Sequence, residues 1–267
     1  MKHVEQGQFP NLQMGLVLKH FFEDHPSVVD RAGREFFEYV QARQDVVSKE
    51  KIEQLFREWL VYDFRLKTGK TAFETYIYRN PDGLSADELS LLQQASDSHF
   101  TSHFWVGAVE QEHNLLIIEE CHSQKQYSIY DMTAPRHVRS NVGWVAARLI
   151  QLTQAGDKGL NDTSPDGKST NWYFASDPVF FVPVVWTPEM KQRMTEVPLA
   201  DKSTCVDGVP ADGRQPFIDI VKMHYGLNDK TFEEFDIVRS GQIMMPQAHS
   251  PTNTSENTSQ DRTDTAQ

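Results

Sequence analysis

At Asp97 the apolar residues change their spacing, and that change constrains the fold more than any other feature of the chain. Before it, apolar side chains recur at intervals of three and four, the repeat of one buried helix face. After it they alternate, the repeat of a strand. Helices followed by closely spaced strands predict an α+β protein in which a helical lead-in packs on a small sheet.

The helical half reads clearly. Pro26-Ser27 opens a helix whose buried face is Val29, Ala32, Phe36, Phe37 and Val40, with Gly33 on the same side. Ser48 is positioned to cap the next helix, which turns Ile52, Leu55, Phe56, Trp59 and Leu60 inward and Glu50, Glu53, Arg57 and Glu58 outward. Thr68-Gly69-Lys70 breaks it. Thr71-Ala72-Phe73-Glu74 and Ser85-Ala86-Asp87-Glu88 each have the spacing of a capping box, in which hydroxyl and carboxylate satisfy free amides reciprocally. Asn80-Pro81-Asp82-Gly83 is a turn between the two helices, and the second helix buries Leu84, Leu91, Leu92 and Ala95.

The strand half follows. Phe104, Val106 and Ala108 alternate with His103, Trp105 and Gly107; Leu115 to Ile118, Gln126 to Tyr130, Gly143 to Leu152 and Trp172 to Phe174 come next. The first two gaps have hairpin length, which predicts an antiparallel β-meander closing into an SH3-like barrel, with an open sheet on the helices as the alternative. Ala155 to Thr170 is a polar loop, Val179 to Trp186 is β-rich but interrupted by Pro183, and Pro188 starts a short helix. Asp201 to Pro216 reads as a linker, and Phe217 to Tyr225 and Thr231 to Val238 as short helices. The resulting division is a helical region over 1–98, a sheet or barrel over 99–186, a helical extension over 187–246 and a disordered polar tail over 247–267.

Charge and cysteine usage narrow the function. A formal charge of −12 disfavours nonspecific phosphate-backbone binding, which needs clustered Lys and Arg. Cys121 and Cys205 cannot build a disulfide framework, and no apolar run approaches membrane length, so a cytoplasmic protein with no membrane contact is the expectation. The first residues lack a signal-peptide pattern. No cofactor signature is present.

Five segments carry a family likeness: Trp59-Leu60-Val61-Tyr62-Asp63-Phe64-Arg65-Leu66, the Gly69-Lys70-Thr71 turn, Leu84-Ser85-Ala86-Asp87-Glu88, and the strand segments Phe104-Trp105-Val106 and Gly143-Trp144-Val145-Ala146-Ala147-Arg148-Leu149. Over residues 50–155, about half the chain, it resembles an uncharacterised bacterial domain that pairs an aromatic-rich helix with a Gly-Lys-Thr turn, a Leu-Ser-x-x-Glu helix and a small β-barrel. Some relatives of that domain carry a SEC-C type zinc tail. This chain has no such tail, so the resemblance implies a module and no zinc site.

Asp63 is the residue most out of place. It extends the apolar face of Trp59 and Leu60, and a buried carboxylate needs amides or a cation. Arg148 lies inside an apolar strand among Trp144, Ala146 and Ile150, which makes Asp63 and Arg148 candidates for a structural latch between helix and sheet; Arg65 is the local alternative partner.

The aromatic residues Trp105, Tyr127, Tyr130, Trp144, Trp172 and Tyr173 all fall on predicted strands. With Lys125, Arg136, Arg139 and Arg148 nearby, Trp105, Tyr127, Tyr130 and Trp144 are candidates for a face that binds peptide or single-stranded nucleic acid. The competing expectation is a packed core covered by helices.

Other chemistries find little support. His99 and His103, four apart, would lie about 13 Å apart on a strand, too far to share a metal. Gly69-Lys70-Thr71 lacks the upstream glycine of a phosphate loop, and neither cysteine has a nucleophile signature. The leading expectation is a noncatalytic binding or adaptor module with a protein or peptide partner. Its rivals are an enzyme assembled from Asp63, His103, Glu119 and Arg148, and a nucleic-acid binder using the barrel.

Overall fold

The computed structural model describes residues 12, 14–154, 169–196, 205–206, 209–210 and 216–226. The helical lead-in comprises α1 (Met14–Asp24), α2 (Pro26–Val40), α3 (Lys49–Tyr62), α4 (Ala72–Arg79) and α5 (Ala86–Ser98). Their starts follow from side-chain chemistry. Ser48 Oγ accepts from the Lys51 amide, and both capping boxes form, Thr71 with Glu74 and Ser85 with Glu88. The α4–α5 turn uses left-handed backbone at Asn80 and Gly83, which Asn and Gly tolerate.

The strands are β1 (Phe100–Glu110), β2 (Leu115–Glu120), β3 (Gln126–Tyr130), β4 (Val142–Gln154), β5 (Ser169–Phe174) and β6 (Phe180–Val185), with a short helix α6 (Ala134–His137) between β3 and β4. The α+β class and the small closed barrel are as expected. The strand order is β1-β2-β3-β5-β4, and the additional β1–β4 pairing closes the ring. All its pairings are antiparallel except β3 with β5, which is parallel, so the connectivity is more complex than a simple meander. β6 is an extra edge strand on β4, and Pro183 falls where its register with β4 slips, between the Trp144–Val182 and Val142–Val185 pairs, a place that tolerates a residue without an N–H.

β4 decides the architecture. Its N-terminal half pairs with β6 up to Ala146, and its C-terminal half pairs with β5 from Leu149 onward, both along the same edge. The chain between β5 and β6, residues 175–179, therefore leaves the sheet beside Arg148 and bulges toward α3. Alternate residues of β4 serve two cores. Val145, Ala147 and Leu149 fill the barrel with Phe100, Phe104, Leu116, Ile118, Tyr127 and Ile129. Ala146, Ile150 and Leu152 instead join the helices on the outer face.

α7 (Pro188–Glu196), a two-strand pair β7 (Cys205–Val206) and β8 (Val209–Pro210), and α8 (Pro216–Tyr225) follow. Within the stretch expected as a linker, Asp201 to Pro216, Cys205–Val206 pairs antiparallel with Val209–Pro210; its other residues up to 215 lie outside the described residues. α8 inserts Phe217, Ile220 and Val221 into the core formed by α2 and α3. The predicted helix Thr231 to Val238, the loop residues 155–168 and the tail 247–267 lie outside the described residues.

Candidate functional site

Among the described residues, Arg148 is the centre of a densely connected buried polar cluster. β4 projects its side chain outward beneath α3, where it is 1% exposed. Nε donates to Glu58 Oε1 at 2.8 Å, Nη1 donates to His99 Nδ1 at 2.9 Å and to Asp63 Oδ1 at 3.4 Å, and Nη2 donates to Asp63 Oδ2. The guanidinium carbon lies 4.6 Å from the centre of the Tyr62 ring and 4.7 Å from that of Phe217. Structure thus joins Asp63 and Arg148, the two residues that sequence nominated for a latch. Since guanidinium has only donors, His99 Nδ1 must accept, which places any ring proton of neutral His99 on Nε2.

Glu58 corrects the helix-face expectation. Periodicity predicts it on the outer face, yet its side chain is 4% exposed. The reason is that α3 is covered on several sides near its C-terminal end, with Glu58 through Tyr62 all buried. Ser176, from the bulge between β5 and β6, donates to Glu58 Oε2, and Gln54 donates to Asp177 on the same bulge. Lys51 donates to the Pro178 carbonyl at 2.7 Å. His99, Glu58 and Ser176 were not nominated from sequence. A carboxylate five residues before Asp63 on the same helix was the one available signal, and the 175–179 bulge had none.

The electrostatics follow from burial with incomplete compensation. Burial pushes Asp63 up to about 6, with Arg148 pulling the other way and the Glu58 charge adding to the rise. His99 is held well below its ordinary value, first by burial and then by the Arg148 charge. Two carboxylates share one guanidinium, so the cluster holds its members in place and leaves none of the three guanidinium nitrogens free for a ligand.

A second buried pair lies farther along β1. His103 Nε2 and His224 Nε2 are 2.9 Å apart, so one donates and the other accepts. His103 stacks on Trp144 and His224 on Phe180. Burial lowers His103 to about 3. Glu119 is elsewhere on the barrel surface, bonded to Lys191 at 2.6 Å. The residues considered for an enzyme site therefore divide into three separate pairings. Burial also pushes the Cys121 thiol up, which opposes thiolate formation; the Cys205 side chain is outside the described residues. Among the described residues, no three His, Cys, Asp or Glu side chains gather as a metal would require, and no helix is long and apolar enough to cross a membrane.

The expected aromatic binding face is corrected by burial. Trp105 and Trp144 lie on the outer side of the barrel but are covered together with Val184, while Tyr127 points into the barrel. Tyr130 is half-buried against the cluster that holds Tyr173. The helices, β6 and α7 turn both sides of these strands into core.

Open concavities lie instead on the helical layer. One, about 710 Å³, runs between the end of α2 and the start of α3, with Phe37, Ala42, Val47 and Ile52 on its walls and Gln41, Gln44, Lys49 and Glu53 at its rim. Phe37, expected on the buried face of its helix, is 42% exposed there. Comparison with protein-family models, with curated proteins and with solved structures finds no match.

Proposed function

We propose that this protein is a noncatalytic binding module that recognises a protein or peptide through its helical layer, with the barrel as the scaffold that holds that layer. The observation that carries this is the contrast between closed and open chemistry. The charged groups most suited to catalysis are spent on one another in the interior, whereas the α2–α3 groove offers an apolar floor with a polar rim to solvent. An apolar groove between helices suits a partner that inserts one or two large side chains. Placement in the cytoplasm belongs to the same proposal and rests on the low cysteine content.

The test compares wild type with Phe37→Glu in affinity purification from the native host, after circular dichroism shows that the variant is folded. A partner recovered with wild type and lost with Phe37→Glu supports the groove. Equal recovery by both proteins rules the groove out.

A further inference from the structure

A cleft of about 480 Å³ opens where the α1–α2 corner meets α4 and the loop after α3. Its lining includes four cations, Arg31, Arg34, Lys67 and Arg79, and no Asp or Glu, in a chain whose formal charge is −12. The arrangement is built by helix periodicity. Ser27, Arg31 and Arg34 form a stripe on α2, and Thr75 and Arg79, four apart, form one on α4. Lys67 comes from the loop between them.

Arg34, Lys67 and Arg79 make no ion pair among the described residues. Arg31 has its ion pair with Glu35 at 4.0 Å, beyond hydrogen-bond reach, and lies 4.9 Å from the centre of the Phe64 ring, while its Nε is buried without a hydrogen-bond partner. Thr75, which also lines the cleft, is 8% exposed, and its hydroxyl has no hydrogen-bond partner. The start of α2 borders the cleft too; its Val28 and Val29 amides already donate to the His25 carbonyl, so the cleft's free polar groups are side chains. Four cations that share a cleft with no acidic side chain in its lining give it a positive potential. A bound anion relieves that and can pair with the buried Thr75 hydroxyl and Arg31 Nε.

We infer that this cleft binds a small phosphorylated ligand, its phosphate held by Arg31, Arg34, Lys67 and Arg79 and its organic part resting on Phe21, Val28 and Leu66. Phosphate suits the site because arginine forks match its oxygens and several donors converge on one multiply charged group. The cleft volume falls in the range of small-molecule sites. The inference is independent of the α2–α3 groove.

The experiment is calorimetric titration of the full chain with pyrophosphate, and separately with citrate, at constant ionic strength. Wild type is expected to bind pyrophosphate saturably and more tightly than citrate. The double variant Arg34→Gln/Arg79→Gln, whose cations make no ion pair among the described residues, is expected to bind at least about tenfold more weakly. Phe37→Glu is expected to bind pyrophosphate as wild type does, which separates this site from the groove. Absence of saturable binding to wild type overturns the inference. So does equal affinity in the double variant, equal affinity for citrate, or binding of single-stranded RNA that exceeds pyrophosphate binding and falls steeply with salt.

Discussion

Arg148 shows how one residue can be costly and still necessary. Ion pairs taken out of water regain little net stability, but removing one partner leaves uncompensated charge in the interior. Arg148→Ala strands Glu58 and Asp63 together and is expected to cost about 3–5 kcal/mol in urea unfolding. Asp63→Asn should cost less, because it leaves Glu58 on the guanidinium. Combined, the two changes should be less damaging than the sum of their separate losses; strictly additive losses would remove the case for a coupled pair.

The pH dependence of stability also belongs to single residues. His103 has its folded value lowered from 6.5 to about 3, so its contribution is present above about 6.5 and is lost as pH falls toward 3. His99 is lowered too and acts in the same direction. Asp63 acts oppositely: its value is raised from 3.8 to about 6, so the stability it contributes is present below about 4 and lost as pH rises through 6. Two histidines against one aspartate predict a net loss on acidification from pH 7 to 5. Unfolding free energies from urea titrations across that range should fall in wild type and fall less in His103→Gln, by up to about 1.4 kcal/mol per pH unit. Identical slopes would contradict a buried neutral His103.

Among the elements, β4 and the bulge beside it matter most. Gly143 has φ +143°, and an added Cβ would lie 2.8 Å from both the Phe181 ring and Val106. Gly143→Ala should therefore destabilise the protein by about 1–3 kcal/mol in thermal or urea unfolding, through strain and overpacking where β4 departs from regular pairing with β6. No loss would show that β6 yields freely at that edge. The capping boxes make a smaller, local contribution. Thr71→Ala removes the hydroxyl that accepts from the Glu74 amide and should cost about 1 kcal/mol, measured the same way.

At the scale of the whole molecule, helices and barrel share their cores. Ala146 and Val179 pack with α2, α3 and α8, while Ile150, Leu152 and Tyr173 pack with α1, α4 and α5. α8 closes this arrangement: Phe217 covers Arg148, His224 meets His103, and Tyr225 donates to the Val179 carbonyl at 2.7 Å. Phe217→Ala should cost about 3–5 kcal/mol and lower hydrogen-exchange protection in α3 and β4 together. Loss confined to α8 would mean that it is a separately melting flap.

What the sequence by itself determined was local. The capped helix starts, the turn at Asn80 to Gly83, the switch to strand spacing after Asp97 and the boundaries of β3 all depend on neighbouring residues, whose spacing is visible in one dimension. Asp63 and Arg148 were legible as a pair because each is a charge on an otherwise apolar face. Tertiary structure decided the rest. Which side of a strand faces water depends on what packs over it, and α8, α7 and β6 bury Trp105 and Trp144 from positions far along the chain. Glu58, His99 and Ser176 meet only because β4 changes partners beside Arg148. The cleft cations come from two helices and a loop, and no linear pattern links Arg31 and Arg34 to Lys67 and Arg79 before the helices pack.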